Sequence, residues 1–180
     1  MNALAPIRRL HEHRIWVNRN LCAAAQTLDD EKLRRQLAIG QGSVWKSLLH
    51  MYAAEFVWLE CLLGHEQASI PGDIPDKLPG NQLGQGGIGS LAELIDHWQQ
   101  LDKRWSDYLW SVTADALDDH VAKVSSNGKR TTTARMDILL HVCTHAHYTA
   151  AQVLNMLRQL GSAPLPEVML IAMAREQTSS

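Results

Sequence analysis

Residues 139–161 hold three histidines, His141, His145 and His147, in a segment whose other residues are typical of a buried helix. Positions four apart in an α-helix differ by about 40° in direction and about 6 Å along the axis. His141 and His145 therefore share one face, whereas His147 points elsewhere. The spacing predicts a pair of imidazoles that can act together.

The face that carries His145 also carries the apolar stripe of this segment, traced in steps of three and four residues, which is typical of a bundle helix. Polar residues interrupt its middle. A buried polar group without a partner costs about 1–3 kcal/mol, so each needs a hydrogen bond, a metal or a water-filled pocket. We therefore expect a polar site inside the bundle. The stripe is Ile138, Val142, His145, Thr149, Gln152, Met156 and Leu160.

The composition is that of a soluble globular protein, with 46% hydrophobic residues, 20% charged residues and a net charge of -2 over 180 residues. This length suits a single domain over residues 1–180. No apolar run approaches the roughly 20 residues that span a bilayer, so we expect no membrane segment. Basic residues form no stripe of the kind that contacts phosphate backbones, which disfavours nucleic-acid binding.

The cysteines Cys22, Cys61 and Cys143 are odd in number and widely spaced, which favours reduced, buried thiols over a disulfide framework. The N-terminus lacks the basic and then apolar pattern of a signal peptide. Together these features predict a cytoplasmic protein.

Helical periodicity predicts two long helices in the first third of the chain. The first covers residues 6–27, and a polar segment, 28–42, follows it. Ser43 is a suitable N-cap for the second helix, residues 44–63, and Gly64 is placed to end it.

The middle of the chain combines a long connection, a helix and a hairpin signal. Residues 65–89 are rich in glycine, proline and polar residues and predict a surface connection. Ser90 and Glu93 form a capping-box pair at the start of a third helix. Asn127-Gly128 separates two β-prone runs, which predicts a hairpin.

A fourth long helix, with Thr132 or Thr133 as its cap, is expected to end at Gly161, and a short terminal helix is expected over residues 167–175. The predicted fold is thus all-α. It is a four-helix bundle with a short β-hairpin before the fourth long helix and a short C-terminal helix.

Three sequence stretches resemble the DinB (DNA-damage-inducible) family of four-helix bundles. They are IWVNRNL at 15–21, GSVWKSLLHMYAAEFVWL at 42–59 and HYTAAQVLNMLRQLGSAP at 147–164. The last is the most specific, because its tyrosine, glutamine and Leu-Arg-Gln-Leu-Gly ending occur together. The resemblance covers nearly the whole chain and implies a metal site between helices.

In that family a divalent ion such as zinc or nickel is held by one histidine of the second helix and two of the fourth. The resemblance implies that the first two ligands are His50 and His145. The third position is occupied by Thr149, a much poorer ligand at neutral pH, and the family's glutamine matches Gln152. His141, one turn earlier, is the candidate replacement.

The resemblance leads to three functional hypotheses. The first is a DinB-like protein with an altered or degenerate divalent-metal site and an unassigned small-molecule ligand. The second is a metal-dependent transferase, which uses a thiol in some relatives, or a hydrolase-like enzyme. The third is a metal-free binding or dimerisation module. Family members commonly form homodimers, so a twofold pair is expected.

Other ionisable residues are interpreted as incidental to the site. Glu55 and Glu60 lie near His50 in sequence, and charged residues of bundle helices usually face solvent. The remaining histidines are expected at the surface; they are His11, His13, His65, His97, His120 and His147.

Overall fold

Four long helices form the framework of the protein. The computed structural model describes residues 4–75, 77–125 and 127–178. The helices are α1 (Leu4–Ala25), α3 (Val44–Leu62), α4 (Leu91–Ser111) and α5 (Arg135–Gln159). Short elements are α2 (Asp30–Arg34), a 3₁₀ turn (Asp115–Asp118), the strands β1 (His120–Val124) and β2 (Arg130–Ala134), and α6 (Leu170–Thr178). This order confirms the predicted all-helical bundle with one hairpin.

Serine caps begin two of the long helices, as predicted. Ser43 Oγ accepts the Lys46 N–H and Ser90 Oγ accepts the Glu93 N–H, each at 3.2 Å. Each bond satisfies an N–H that has no partner within the helix. α3 then ends before Gly64, whose φ of +98° suits glycine better than any other residue.

The predicted cap of α5 was wrong. Thr132 and Thr133 lie within β2, where Thr132 pairs with Ala122 and Thr133 with Val121 in the antiparallel hairpin. The helix begins directly after the strand, and Ala134 provides no side-chain cap. Because the strand continues to Ala134, the first turn of α5 begins after both threonines, and neither occupies the residue directly before it.

α2 was not predicted, because five residues are too few to show helical periodicity. Its start has a local signal, since the Asp29 carboxylate accepts the Lys32 N–H at 2.7 Å. α6 begins at Leu170, three residues after the expected start. Within the described ranges no helix has both the length and the apolar character needed to cross a bilayer.

The core lies where α5 packs between α1 and α3. Its centre consists of side chains with almost no exposed surface, contributed by all four long helices. Burial of each such side chain contributes about 1.5–3 kcal/mol to the free energy of folding. The largest in these helices are Leu21, Leu48, Met51, Leu59, Leu94, Leu101, Trp105, Ile138, Leu139, Met156 and Leu157.

A buried ionic cluster joins α1, α3 and α4. Glu55, 2% exposed, pairs with Arg14 and accepts hydrogen bonds from Asn18 Nδ2 at 2.8 Å and Trp98 Nε1 at 2.9 Å. The expectation that Glu55 faces solvent was therefore wrong. Three donors from two other helices offset part of the cost of burying its carboxylate, whose pKa burial still raises. Loss of one partner from such a pair typically costs about 3–5 kcal/mol.

His11 and His13 are also buried, at 1% and 4% exposure, which corrects their predicted surface position. His11 Nε2–H donates to the Leu139 carbonyl at 3.0 Å, and His13 Nε2–H donates to the Val168 carbonyl at 2.9 Å. Burial lowers the pKa of both imidazoles, so both are neutral at pH 7. Each acceptor comes from a distant part of the chain, and periodicity cannot reveal it.

Asp102 lies beside this cluster and is 5% exposed. Burial, and next the nearby Glu55, raise the pKa of its carboxyl from 3.8 to about 7, against the opposing effect of Arg14 and Arg19. Its Oδ1 has no hydrogen-bond partner among the described residues. The folded protein therefore retains a proton on Asp102 that the unfolded chain releases near pH 4.

We predict that the proton on Asp102 makes the stability of the protein depend on pH. Because the folded state binds it more tightly, the free energy of unfolding should fall as pH rises from about 4 to 7. Asp102→Asn should flatten this dependence and be more stable than wild type at pH 8, on the order of 2 kcal/mol. Urea denaturation at pH 5 and pH 8 measures both effects.

Asp107→Asn, an exposed aspartate of the same helix, is the control and should behave like wild type. Equal destabilisation of Asp102→Asn at both pH values would contradict the assignment.

Candidate functional site

The packing of α3 against α5 brings together two histidines that are far apart in sequence. His50 Nε2 lies 3.2 Å from His145 Nε2, and the ring centroids are 5.0 Å apart. Both rings are half-buried. The two principal residues of the sequence analysis thus share one point inside the bundle.

A backbone carbonyl fixes the orientation of His50. The Pro79 oxygen lies 2.8 Å from His50 Nδ1. Because a carbonyl only accepts, Nδ1 carries the proton and donates it. In its neutral form His50 therefore presents the lone pair of Nε2, which accepts from His145 Nε2–H. A histidine that donates one ring N–H to a carbonyl and keeps a lone pair on its other nitrogen is typical of metal ligands.

His145 is held in its uncharged form. Burial, followed by the proximity of His50 and His141, lowers the pKa of His145 from 6.5 to about 4. At neutral pH the imidazole is in the uncharged form that binds metals, and binding through Nε2 would require its proton to move to Nδ1.

His141 borders the pair without completing it. Its ring lies 5.7 Å from that of His145 and packs edge-on against Trp58 at 5.6 Å. Across the described part of the chain, no three side chains of His, Cys, Asp or Glu converge in a way that could hold an ion. Among the described residues the two-histidine centre thus has no third ligand of these types.

Thr149 and Gln152 continue the polar stripe along α5. Thr149 is 3% exposed and lies one turn after His145. Gln152 is half-buried against Gly40, where an added Cβ would come within 2.2 Å of Gln152 Oε1. The stripe is polar at its centre, as the sequence indicated.

The separation of the two nitrogens suits a shared ion. Two imidazole nitrogens bound tetrahedrally to one Zn²⁺, at about 2.0–2.1 Å each, lie about 3.3 Å apart. The observed 3.2 Å between the Nε2 atoms is close to this value. Neutral nitrogen donors suit zinc and nickel better than magnesium or calcium. His50 and His145 therefore fit two positions of such an ion.

A cavity of about 440 Å³ lies close to the pair. It opens between the connection after α3 and the hairpin, and Val57, Pro79 and Lys123 line it. Pro79 is also the residue that accepts from His50. The Lys123 ammonium lies 5.6 Å from the Trp58 ring, which in turn contacts His141. The wall of the cavity is thus connected to His50 through Pro79, and to His141 through Lys123 and Trp58.

The cysteines do not take part in this site. Cys22, Cys61 and Cys143 are free and buried, as predicted. Burial raises the pKa of Cys22 and of Cys143 to about 12, which leaves both protonated and poorly nucleophilic. Their role is packing.

Sequence reasoning missed Pro79. It lies in the connection 65–89, which composition identifies only as a surface segment. Pro79-Gly80 signals a turn. Nothing in that signal relates the turn to a histidine 29 residues earlier.

Comparison with known proteins is consistent with this architecture. A sequence model of the DinB family matches residues 1–177. The chain is 21% identical over 161 residues to "Protein DinB" of Bacillus subtilis (strain 168), which covers 88% of each protein. A family match over nearly the full length is sufficient for assignment, and the chain belongs to the DinB family.

Proposed function

We propose that this protein binds a divalent transition metal, zinc or nickel, between α3 and α5 through His50 and His145. The observation that carries the proposal is the 3.2 Å separation of their Nε2 atoms, with His50 held by the Pro79 carbonyl. His141 is the candidate third donor because its ring is already beside His145. The site is an altered form of the family's, since Thr149 stands where a histidine is usual.

The surrounding residues suit a metal centre that acts on a small molecule. A bound ion with open positions supplies Lewis-acid activation of a water or a thiol. The chain itself would hold His145 neutral and shield both ligand histidines by partial burial. The adjacent 440 Å³ cavity, with Lys123 in its wall, would receive the small molecule. Transferase or hydrolase-like turnover, with or without a thiol, is the activity this arrangement would allow.

The second candidate is a metal-free binding module. One observation favours it. The His145 N–H can donate directly to His50 Nε2, so these two nitrogens have a hydrogen bond without an ion. In that case the polar centre is structural, and the cavity alone binds a ligand.

A zinc titration separates the two candidates. We expect one ion per chain for the wild type, measured by competition with a chromogenic chelator. His50→Ala and His145→Ala should each weaken binding at least tenfold, because each removes a nitrogen donor. His147→Ala, an exposed histidine of the same helix, should bind like wild type. Equal affinity in all four proteins would contradict the proposal.

Thr149→His tests the geometry in the same titration. It restores a second imidazole one turn after His145, and binding should tighten at least tenfold. Thr144→His, at an exposed position on α5, should not change the affinity. No gain in Thr149→His would mean that Thr149 does not face the ion.

We also propose a homodimer, supported by exposed apolar side chains at one edge of the bundle. Tyr148, 70% exposed, and Leu170 line an apolar cavity between α1, α5 and α6. Light scattering at micromolar concentration should give twice the 20.1 kDa chain mass. Tyr148→Arg should give the chain mass alone, and a monomeric wild type would contradict the dimer. A cytoplasmic location stays a prediction, which cell fractionation tests.

A further inference from the structure

We infer that Asp73 is a positioning residue for His50, acting through the single peptide group that joins Pro79 to Gly80. The carbonyl of this peptide accepts the His50 Nδ1–H at 2.8 Å, and its N–H donates to Asp73 Oδ2 at 2.7 Å. A carboxylate, a peptide and an imidazole thus form one continuous line of hydrogen bonds. Its relevance to metal binding rests on the function proposed above.

The geometry of a trans peptide makes this arrangement possible. The carbonyl and the N–H of such a group point in opposite directions, so the group can connect partners on its two sides. Hydrogen bonds in series polarise one another. A negative charge at the N–H end makes the carbonyl a stronger acceptor for the imidazole proton. Asp73 therefore favours the tautomer of His50 whose lone pair is on Nε2.

The carboxylate of Asp73 is itself fixed. Besides the Gly80 N–H, it accepts the Gln82 N–H at 3.0 Å and Gln82 Nε2 at 2.8 Å, both at Oδ1. Both oxygens are thus engaged by donors from the turn that follows. This suits a residue that organises the turn at 80–82, and leaves little capacity for binding a ligand directly.

Gly80 places the peptide against α3. Its φ is +85°, and a Cβ at this position would lie 2.6 Å from the Leu49 oxygen and 2.7 Å from the His50 nitrogen. Only glycine permits so close an approach with this backbone conformation. The turn therefore contacts the backbone of His50 and also orients the side chain of His50.

The arrangement extends, by one peptide group, a pattern of hydrogen bonds that is common at metal-binding histidines. Metal-binding histidines commonly donate their second N–H to a carboxylate or a carbonyl, which sets the ring orientation and raises ligand basicity. Here the carbonyl contacts the ring and the carboxylate lies behind it. The segment that forms this relay also lines the 440 Å³ cavity through Asp73, Ile74 and Pro79.

The test is the tautomer of His50 in metal-free protein. The ¹⁵N chemical shifts of both ring nitrogens, recorded by NMR at pH 8, report the tautomer populations. We expect the Nδ1–H form of His50 to predominate in wild type. Its population should be smaller in Asp73→Asn, which removes the charge and one acceptor. Gly80→Ala, which displaces the same peptide, should give the same change.

Asp96→Asn, an exposed aspartate of α4, is the control and should leave the ring unchanged. Thermal denaturation checks that the variants fold. A wild-type tautomer population in Asp73→Asn would overturn the inference, and so would a predominant Nε2–H form in wild type.

Zinc affinity separates this inference from the proposed function. Removal of a residue that supports a metal ligand through hydrogen bonds typically weakens metal binding 10–100-fold. We expect a loss of this size for Asp73→Asn. If the tautomer changes but no protein, including wild type, binds zinc, the relay stands and the metal proposal fails. If wild type binds zinc and Asp73→Asn keeps both its affinity and its tautomer, the relay is wrong and the metal site stands.

Discussion

The packing of α3 on α5 is the constraint on which the site depends. Two histidines 95 residues apart meet only because these helices are held close over their shared face. Ser47 of α3 lies in this interface, with its Oγ 3.9 Å from Met156 Sδ of α5, and both residues are fully buried. A larger side chain in place of Ser47 would push the two helices, and with them the two imidazoles, apart.

α3 is fixed from two directions. Glu55, five residues after His50, binds α1 and α4 through its cluster of charged and amide partners. On the side of His50, the turn at 79–80 contacts the helix backbone and the imidazole. The same helix thus contains a structural ionic cluster and a candidate ligand, one and a half turns apart. Several charged and polar residues inside this bundle have specific partners, and those of His11, His13 and His50 are backbone carbonyls.

The sequence predicted features whose signals are local. The serine caps, Gly64 and the Asn127-Gly128 hairpin each depend on a few adjacent residues. The burial of Glu55 and His11 depends on partners 41 and 128 residues away, which periodicity cannot identify. His50 was identified only through resemblance to a family, because a single histidine on a helix carries no pattern of its own. The sequence contains no signal for the contact between Pro79 and His50, because a backbone carbonyl makes it and the type of side chain does not reveal it.

The arrangement that results combines a neutral imidazole, a second imidazole of fixed tautomer and a threonine where another ligand would be expected. Such a centre can hold an ion less firmly than three histidines, or can persist as a hydrogen-bonded pair. The most direct test is a crystal structure of protein prepared with zinc, with anomalous scattering recorded at the zinc edge. We expect an anomalous peak at about 2.0–2.1 Å from both His50 Nε2 and His145 Nε2. A peak elsewhere, or none between these rings, would contradict it.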